Sequence, residues 1–448
     1  MATICRQAVS GRLLAKQNRL QLTRWLTTTR CAYAASAQTG KRNFSKPGVK
    51  NLVLVEGVRL PFCVAGTDYK NAMPHDLARG AIQGLLRRTN IDKDKIGCVI
   101  VGTVIQEVKT SNLAREAALG AGISNRIPAH TVTQACVSSN QAITTGMGYL
   151  AMGICDTFIA GGVEVMSDVP IRHSRGMRKI MLNLNKAKSV GAKLSMVAQI
   201  LKPKMWIPEL PAIAEFSTGE TMGHSADRLA AAFAVSRQEQ DEFAHRSHHL
   251  TDKAINEGLL SDVIPYKAPG QNKLTTRDNG VRTSNLEQLA KLKPAFIKPH
   301  GTITAANSSF LSDGASACLV MTEEKARELG YKPKVYLRDY VYVSQDPKDQ
   351  LLLAPAYSTP QLLMRNGLTI ADIDVFEYHE AFAFGAPPLE KFNSWGGSLS
   401  IGHPFGATGV RLVTTAANRL IKEGGHLGLV AACAAGGQGV AMLVERCP

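Results

Sequence analysis

From about Val49 onward the chain alternates between two patterns: short unbroken apolar runs, and longer stretches in which apolar residues recur every three or four positions. Residues 51–62, NLVLVEGVRLPF, read as a buried strand. Residues 75–90, HDLARGAIQGLLRRTN, have the helical period, and 95–105, KIGCVIVGTVI, return to a strand. A helix of small residues follows in 140–154, NQAITTGMGYLAMGI, suited to close packing. DTFIAGGVEVMS, 156–167, is a strand ending in a turn. The last third repeats this order. PKVYLRDYVYVS at 333–344 resembles the first strand, and STPQLLMRNGL at 358–368 reads as a helix. LTIADIDVFEYHEAF then parallels NIDKDKIGCVIVGTVIQE, and residues 409–445 give helix, strand, glycine turn and strand. The pattern predicts an α/β protein built from two similar βαβ-rich halves.

Residues 166–300 interrupt that order. From Val169 to Pro208 there is no acidic residue, and nine Lys or Arg alternate with Ile180, Met181, Leu184, Leu194, Val197, Leu201 and Trp206. Such a basic amphipathic segment, about 171–208, can rest on an anionic membrane surface, bind nucleotide phosphates, or be the solvated face of an ordinary insertion. A helical, charge-mixed stretch follows at 218–248. The expected organisation is therefore a first half at 50–165, an inserted loop domain at 166–300, a return to the first half at 301–325, and a second half at 326–448.

Charge sharpens the picture at the N-terminus. The net charge is +16, but residues 1–55 hold ten of the 52 basic residues and no acid before Glu56. Arg6, Arg12, Arg19, Arg24 and Arg30 are spaced to line one helical face in a Ser/Thr/Ala-rich stretch. This is the pattern of a mitochondrial transit peptide over 1–45, and scarce aromatics argue against a nucleic-acid arm. Nine cysteines without paired spacing, and no secretory signal, exclude a disulfide framework. No apolar run is long enough to span a bilayer.

Three positions carry the candidate chemistry. Cys136 lies in TVTQACVSSNQAITTG, Cys433 in GLVAACAAGGQGVAM and His403 in GGSLSIGHPFGATG. A cysteine opening a helix after a strand meets the positive end of the helix dipole, which favours the thiolate. A lone cysteine there can equally be a small buried hydrophobe. The turn between Gly402 and Pro404 can present His403 as a base for a thiol. Cys433, ahead of AAGGQG, can move a proton at carbon while the following backbone N–H groups face a ligand. Glu380 beside His379 is open to two readings, general base or structural bonding to a neighbouring loop. There is no zinc spacing, no CxxC pair and no dinucleotide GxGxxG after a strand. Cys5, Cys31, Cys63, Cys98, Cys155, Cys318 and Cys447 read as unremarkable.

QACVSSNQA, HEAFA, GGSLSIGHPFGATG and CAAGGQG, in that order, resemble the signature blocks of the thiolase family, and TAANSSFLSDGASA resembles its block facing coenzyme A. The resemblance covers nearly everything after residue 50. It implies the thiolase fold, a five-layered αβαβα core of two halves with an inserted loop domain. It further implies 3-ketoacyl-CoA thiolase activity in mitochondrial β-oxidation, with coenzyme A as substrate, no cofactor and no metal. On that resemblance Cys136 attacks the 3-keto carbonyl, His403 takes its proton, and Cys433 protonates the departing acetyl-CoA enolate. His403 and His379 would form one oxyanion hole; the backbone N–H groups of Cys136 and Ala435 would form the other. Ser309 matches the serine that contacts the pantetheine arm, and Met222 and Phe310 would line the channel. The implied partners are a second copy, an α-subunit carrying hydratase and dehydrogenase activities, and the matrix face of the inner membrane. Histidine replacing Cys433 would mark a ketoacyl synthase, so that branch is disfavoured. One departure stands out: His379 lies only 24 positions before His403, where the family has a longer helix and loop. Two alternatives remain beside a long-chain thiolase: an acetoacetyl-CoA-forming thiolase, and a catalytically weak structural β-subunit whose site is disturbed behind His379.

Overall fold

The computed structural model describes residues 44–45, 48–212, 214–383 and 388–448. The region expected as a transit peptide, with Cys5 and Cys31, lies outside the described residues except for Phe44 and Ser45. Among the described residues there are ten strands: β1 (Leu52–Arg59), β2 (Cys63–Val64), β3 (Cys98–Gly102), β4 (Ala129–Val132), β5 (Thr157–Glu164), β6 (Ser312–Thr322), β7 (Val335–Ser344), β8 (Val375–Tyr378), β9 (Leu427–Ala434) and β10 (Gln438–Arg446). Nine of them follow one another in the order β4-β3-β5-β6-β1-β7-β10-β9-β8, and β2 pairs with β6. β3 is parallel to β4 and β5, and β8 is parallel to β9, whereas β6, β1, β7 and β10 are paired antiparallel. Order and direction match in the two halves, with β7, β8, β9 and β10 standing where β1, β3, β5 and β6 stand in the first. The halves join through two residue pairs, Val53 with Tyr336 and Leu54 with Val335.

The near-continuous apolar strands follow from burial on both faces. In β1, Leu52 and Leu54 face a central cluster while Val53 and Val55 face an outer one. In β9, Val430, Ala432 and Ala434 turn inward, and Leu427, Leu429 and Ala431 turn outward. The central cluster is filled by two helices, Ser138–Ala151 and Thr408–Glu423, lying between the halves. The outer clusters are covered by the helices Pro74–Thr89 and Leu113–Gly120 on one side and Ala354–Arg365 on the other. This yields five layers.

Two glycines permit close approaches at the central layer, Gly162 of β5 against the loop before the second central helix and Gly409 of that helix against the first. A Cβ on Gly162 would overlap the carbonyl oxygen of Gly406, and a Cβ on Gly409 would overlap Asn140 at its backbone nitrogen and side-chain amide.

The inserted region carries the helices Arg175–Leu184, Val190–Ile200, Met222–Phe233 and Arg237–Asn256. Ser236 and Glu239 cap the last of these reciprocally. In Val190–Ile200 no side chain is buried. No described helix is long and apolar enough to cross a membrane.

The short stretch after His379 is compensated at the edge of β8. Phe376 N–H donates to the carbonyl of Lys391 (3.0 Å), and Asn393 N–H donates to the carbonyl of Phe376 (2.9 Å). The Asn393 side chain accepts from Tyr378 N–H (2.9 Å) and donates to the Tyr378 carbonyl (3.0 Å) and to Glu380 Oε1 (2.7 Å). Residues 391–393 thus act as a short outer strand. From the other side Arg419 donates to Glu377 Oε1 at 2.7 Å and to the Phe376 carbonyl at 3.2 Å.

Candidate active site

Cys136 sits on a sharp turn between β4 and the helix that begins at Ser138. Ala135 adopts φ 45°, a left-handed conformation that a non-glycine residue takes only under constraint. Ser138 Oγ clamps the turn, donating to the Ala135 carbonyl (2.7 Å) and accepting from Gln134 N–H (2.8 Å). The turn leaves the Cys136 sulfur facing two backbone N–H groups, that of Ala435 and its own. Burial nevertheless pushes the thiol up to about 12, and the carboxylates of Glu164 and Glu215 act in the same direction. The expectation of a thiolate favoured by the helix dipole is therefore corrected. The helix starts two residues later, and desolvation outweighs its end.

Cys433 is buried at the end of β9, and its thiol is also pushed up to about 12, first by burial and then by the charge Cys136 would carry. The two sulfurs share one neighbourhood although 297 positions separate them in sequence. Glu215, from the inserted region, accepts from Gly436 N–H at 2.9 Å and so braces the turn that carries the Ala435 N–H.

His403 and His379 are stacked, ring centroids 3.7 Å apart and tilted by 29°. His403 is buried behind Gly402, whose φ of 105° requires glycine. Its Nδ1 bonds Thr408 Oγ1 (2.7 Å), its backbone N–H donates to Ser312 Oγ (3.0 Å), and its Nε2 is buried without a partner. Burial holds the His403 imidazole well below its usual value, helped by the His379 and Arg411 charges. His379 Nδ1 bonds Ser398 Oγ at 2.9 Å, and burial with Arg411 lowers that ring to about 3. Both imidazoles are neutral at rest. Despite the short segment, His379 stays beside His403.

The buried Glu164 ties the thiol side to the histidine side. It accepts from Val104 N–H (3.1 Å), Ile105 N–H (3.0 Å) and Gly406 N–H (3.1 Å). Burial raises its carboxyl to about 7 against those donors. Glu380 accepts from Ser247 Oγ (2.7 Å), Asn393 Nδ2 (2.7 Å) and Leu399 N–H (3.3 Å), which decides for the structural reading. Ser309 N–H donates to the Ala381 carbonyl at 3.1 Å, so this serine lies along the loop that follows His379. Met222 packs on the cluster containing Cys433, and the Phe310 ring lies against Gly402.

Sequence reasoning passed over Glu164, Glu215, Ser398, Thr408 and Arg411. It read Cys98 and Cys155 as unremarkable, and their sulfurs lie 4.0 Å apart. Among the described residues no group of three or more His, Cys, Asp or Glu side chains could hold a metal ion.

Models of the thiolase N-terminal domain and the thiolase C-terminal domain match residues 52–324 and 331–446. The chain belongs to the thiolase family. The chain is 63% identical over 442 residues to the bovine mitochondrial trifunctional enzyme subunit beta, covering 93% of each chain. It is 58% identical to a probable 3-ketoacyl-CoA thiolase of Caenorhabditis elegans, covering 90% of this chain and 95% of that one. The thiolase fold is also seen in the crystal structure of the Bacillus anthracis acetyl-CoA acetyltransferase, with a TM-score of 0.77 and 30% identity. That match covers 89% of this chain and 99% of the other.

Proposed function

We propose that this chain is a mitochondrial 3-ketoacyl-CoA thiolase that cleaves long-chain 3-ketoacyl-CoA with coenzyme A, releasing acetyl-CoA and an acyl-CoA two carbons shorter. The observation that carries the proposal is the Cys136 sulfur facing the N–H groups of Cys136 and Ala435 with the Cys433 thiol in the same neighbourhood, together with the stacked His403 and His379 rings. Cys136 is a thiol at rest, so attack on C3 requires a base, and the unpartnered Nε2 of the neutral His403 is suited to take the proton. The C3 oxyanion is stabilised by hydrogen-bond donors, and the C2–C3 bond then breaks. Cys433 gives its proton to C2 of the acetyl-CoA enolate. His403 passes the proton it took from Cys136 to the Cys433 thiolate and is neutral again. Coenzyme A, losing its thiol proton to His403, then attacks the thioester carbon, and that proton goes to the departing Cys136 sulfur. Ser309, Met222 and Phe310 would border the acyl-CoA.

Three features support the finer assignment. The relatives named trifunctional enzyme subunit beta fit assembly with an α-subunit bearing hydratase and dehydrogenase activities. Among the described residues β4 pairs on one side only, with β3, and its residues are half-buried, which suits pairing with a second copy. On the helix Val190–Ile200 and its cap, Val190, Leu194, Val197 and Leu201 recur at helical spacing and are exposed, beside Lys193, Lys202 and Lys204 and near an exposed Trp206. That combination suits the anionic matrix face of the inner membrane.

The test is thiolysis of 3-ketohexadecanoyl-CoA by the purified protein, with mass spectrometry for an acyl group on Cys136. Cys136→Ser should abolish the acyl-enzyme, and Cys433→Ser should impair proton transfer. No activity and no acyl-Cys136, with α-subunit binding retained, would establish a structural β-subunit instead.

A further inference from the structure

We infer that Ser398, held by Arg411, fixes His379 as the neutral tautomer protonated on Nε2, while Thr408 fixes the stacked His403 as the opposite one. The two imidazoles look equivalent in burial and lie 3.7 Å apart, so their chemistry differs only through what bonds each Nδ1.

At His379 the chain of bonds has one consistent direction. Arg411 Nη2 lies 2.9 Å from Ser398 Oγ, and a guanidinium can only donate. Ser398 Oγ therefore accepts from Arg411. Its single proton has one acceptor among its bonds, His379 Nδ1 at 2.9 Å. Nδ1 is thus an acceptor, and the neutral ring carries its proton on Nε2. Glu377 orients the guanidinium from the other side, Oε2 to Nη1 3.5 Å. The nearby cation also opposes a second proton on the ring, in keeping with its depressed basicity.

At His403 the direction is reversed. Thr408 Oγ1 donates to the Pro404 carbonyl at 3.0 Å, the back-bond to residue i−4 that helical threonines make. Its oxygen then accepts from His403 Nδ1–H at 2.7 Å. The buried, unpartnered His403 Nε2 is left with a lone pair. One ring is set to donate to an oxyanion and its neighbour to accept a proton, and neither needs a charge to do so. Ser398 and Arg411 are positioning residues for His379, and Thr408 for His403.

The catalytic consequence rests on the thiolase reading; the proton positions do not. The experiment is a long-range ¹H–¹⁵N correlation spectrum of full-length protein labelled on histidine nitrogens, with the His379→Gln variant assigning the His379 signals. Wild type should show the proton on Nε2 of His379 and on Nδ1 of His403. In Ser398→Ala the His379 pattern should shift toward Nδ1–H. The kcat for 3-ketohexadecanoyl-CoA should fall roughly tenfold to a hundredfold, less than for deleting an oxyanion donor outright, with KM changed under about twofold. Ser398→Thr should restore both. A wild-type His379 protonated on Nδ1, or unchanged proton positions in Ser398→Ala, overturns the inference. A wild type with these proton positions but no thiolysis would instead overturn the proposed activity.

Discussion

A resting Cys136 that is a thiol, in a chain whose His403 imidazole is neutral, makes a measurable difference to its reactivity. The ordinary cysteine value of 9.0 would leave roughly a tenth of the groups ionised at pH 8; at about 12 the fraction falls to about one in ten thousand. The shift corresponds to about 4 kcal/mol against the thiolate, and it originates in burial outweighing two N–H donors. Alkylation by iodoacetamide follows the thiolate, so it reads the fraction directly. The expected rate at Cys136, followed by peptide mass spectrometry between pH 6.5 and 10.5, rises about tenfold per pH unit with no plateau. His403→Ala should leave that slope unchanged, because in both proteins the proton rests on sulfur. An inflection below about pH 8 would mean a preformed Cys136–His403 ion pair and would refute the reasoning.

Other perturbations test the supports of the site. Asn393→Ala removes three bonds to Tyr378 and Glu380 and should cost about 2–4 kcal/mol, seen as a melting temperature several degrees lower together with reduced kcat. His379 titrates near 3 in the folded chain, below its unfolded value, so its contribution to stability is complete above about pH 6.5 and drains away as pH falls toward 3. Melting temperature should therefore drop between pH 6.5 and 4, and less steeply in His379→Gln. Replacing Lys193, Lys202 and Lys204 by Glu, or Trp206 by Ala, should weaken co-sedimentation with anionic vesicles without changing thiolysis in solution; unchanged sedimentation would remove the membrane reading.

The strand and helix order was legible because both faces of β1, β5 and β9 are covered, so these strands appear as apolar runs that a layered core explains. Cys136, His403 and Cys433 were legible because small residues around them leave a signature in the local sequence. Glu164, Glu215 and Ser398 were not, since a carboxylate or hydroxyl gains meaning only from the N–H or ring nitrogen it meets. Glu215 lies in the insertion and reaches Gly436, 221 positions away. Local pattern also overstated the helix dipole at Cys136, because desolvation depends on what packs over the sulfur. The shortened segment announced a loss at β8 but not its repair. Asn393 reads as one polar residue in a loop until its amide is seen spanning Tyr378 and Glu380.

Cys136 precedes the central helix of one half, and His403 precedes the central helix of the other. The gap between them is therefore a distance between two packed bodies. At Gly162 the β5 backbone meets the main chain of Gly406, which has no rotamer to change, and at Gly409 the helix backbone meets the backbone nitrogen and buried amide of Asn140. The contact behaves as a mechanical stop: it sets the span of the site independently of how the surrounding apolar residues repack. Surface and outer-layer changes can then alter stability while the thiol-to-imidazole spacing holds. Adding one methyl group at either glycine would reset that spacing for the whole molecule.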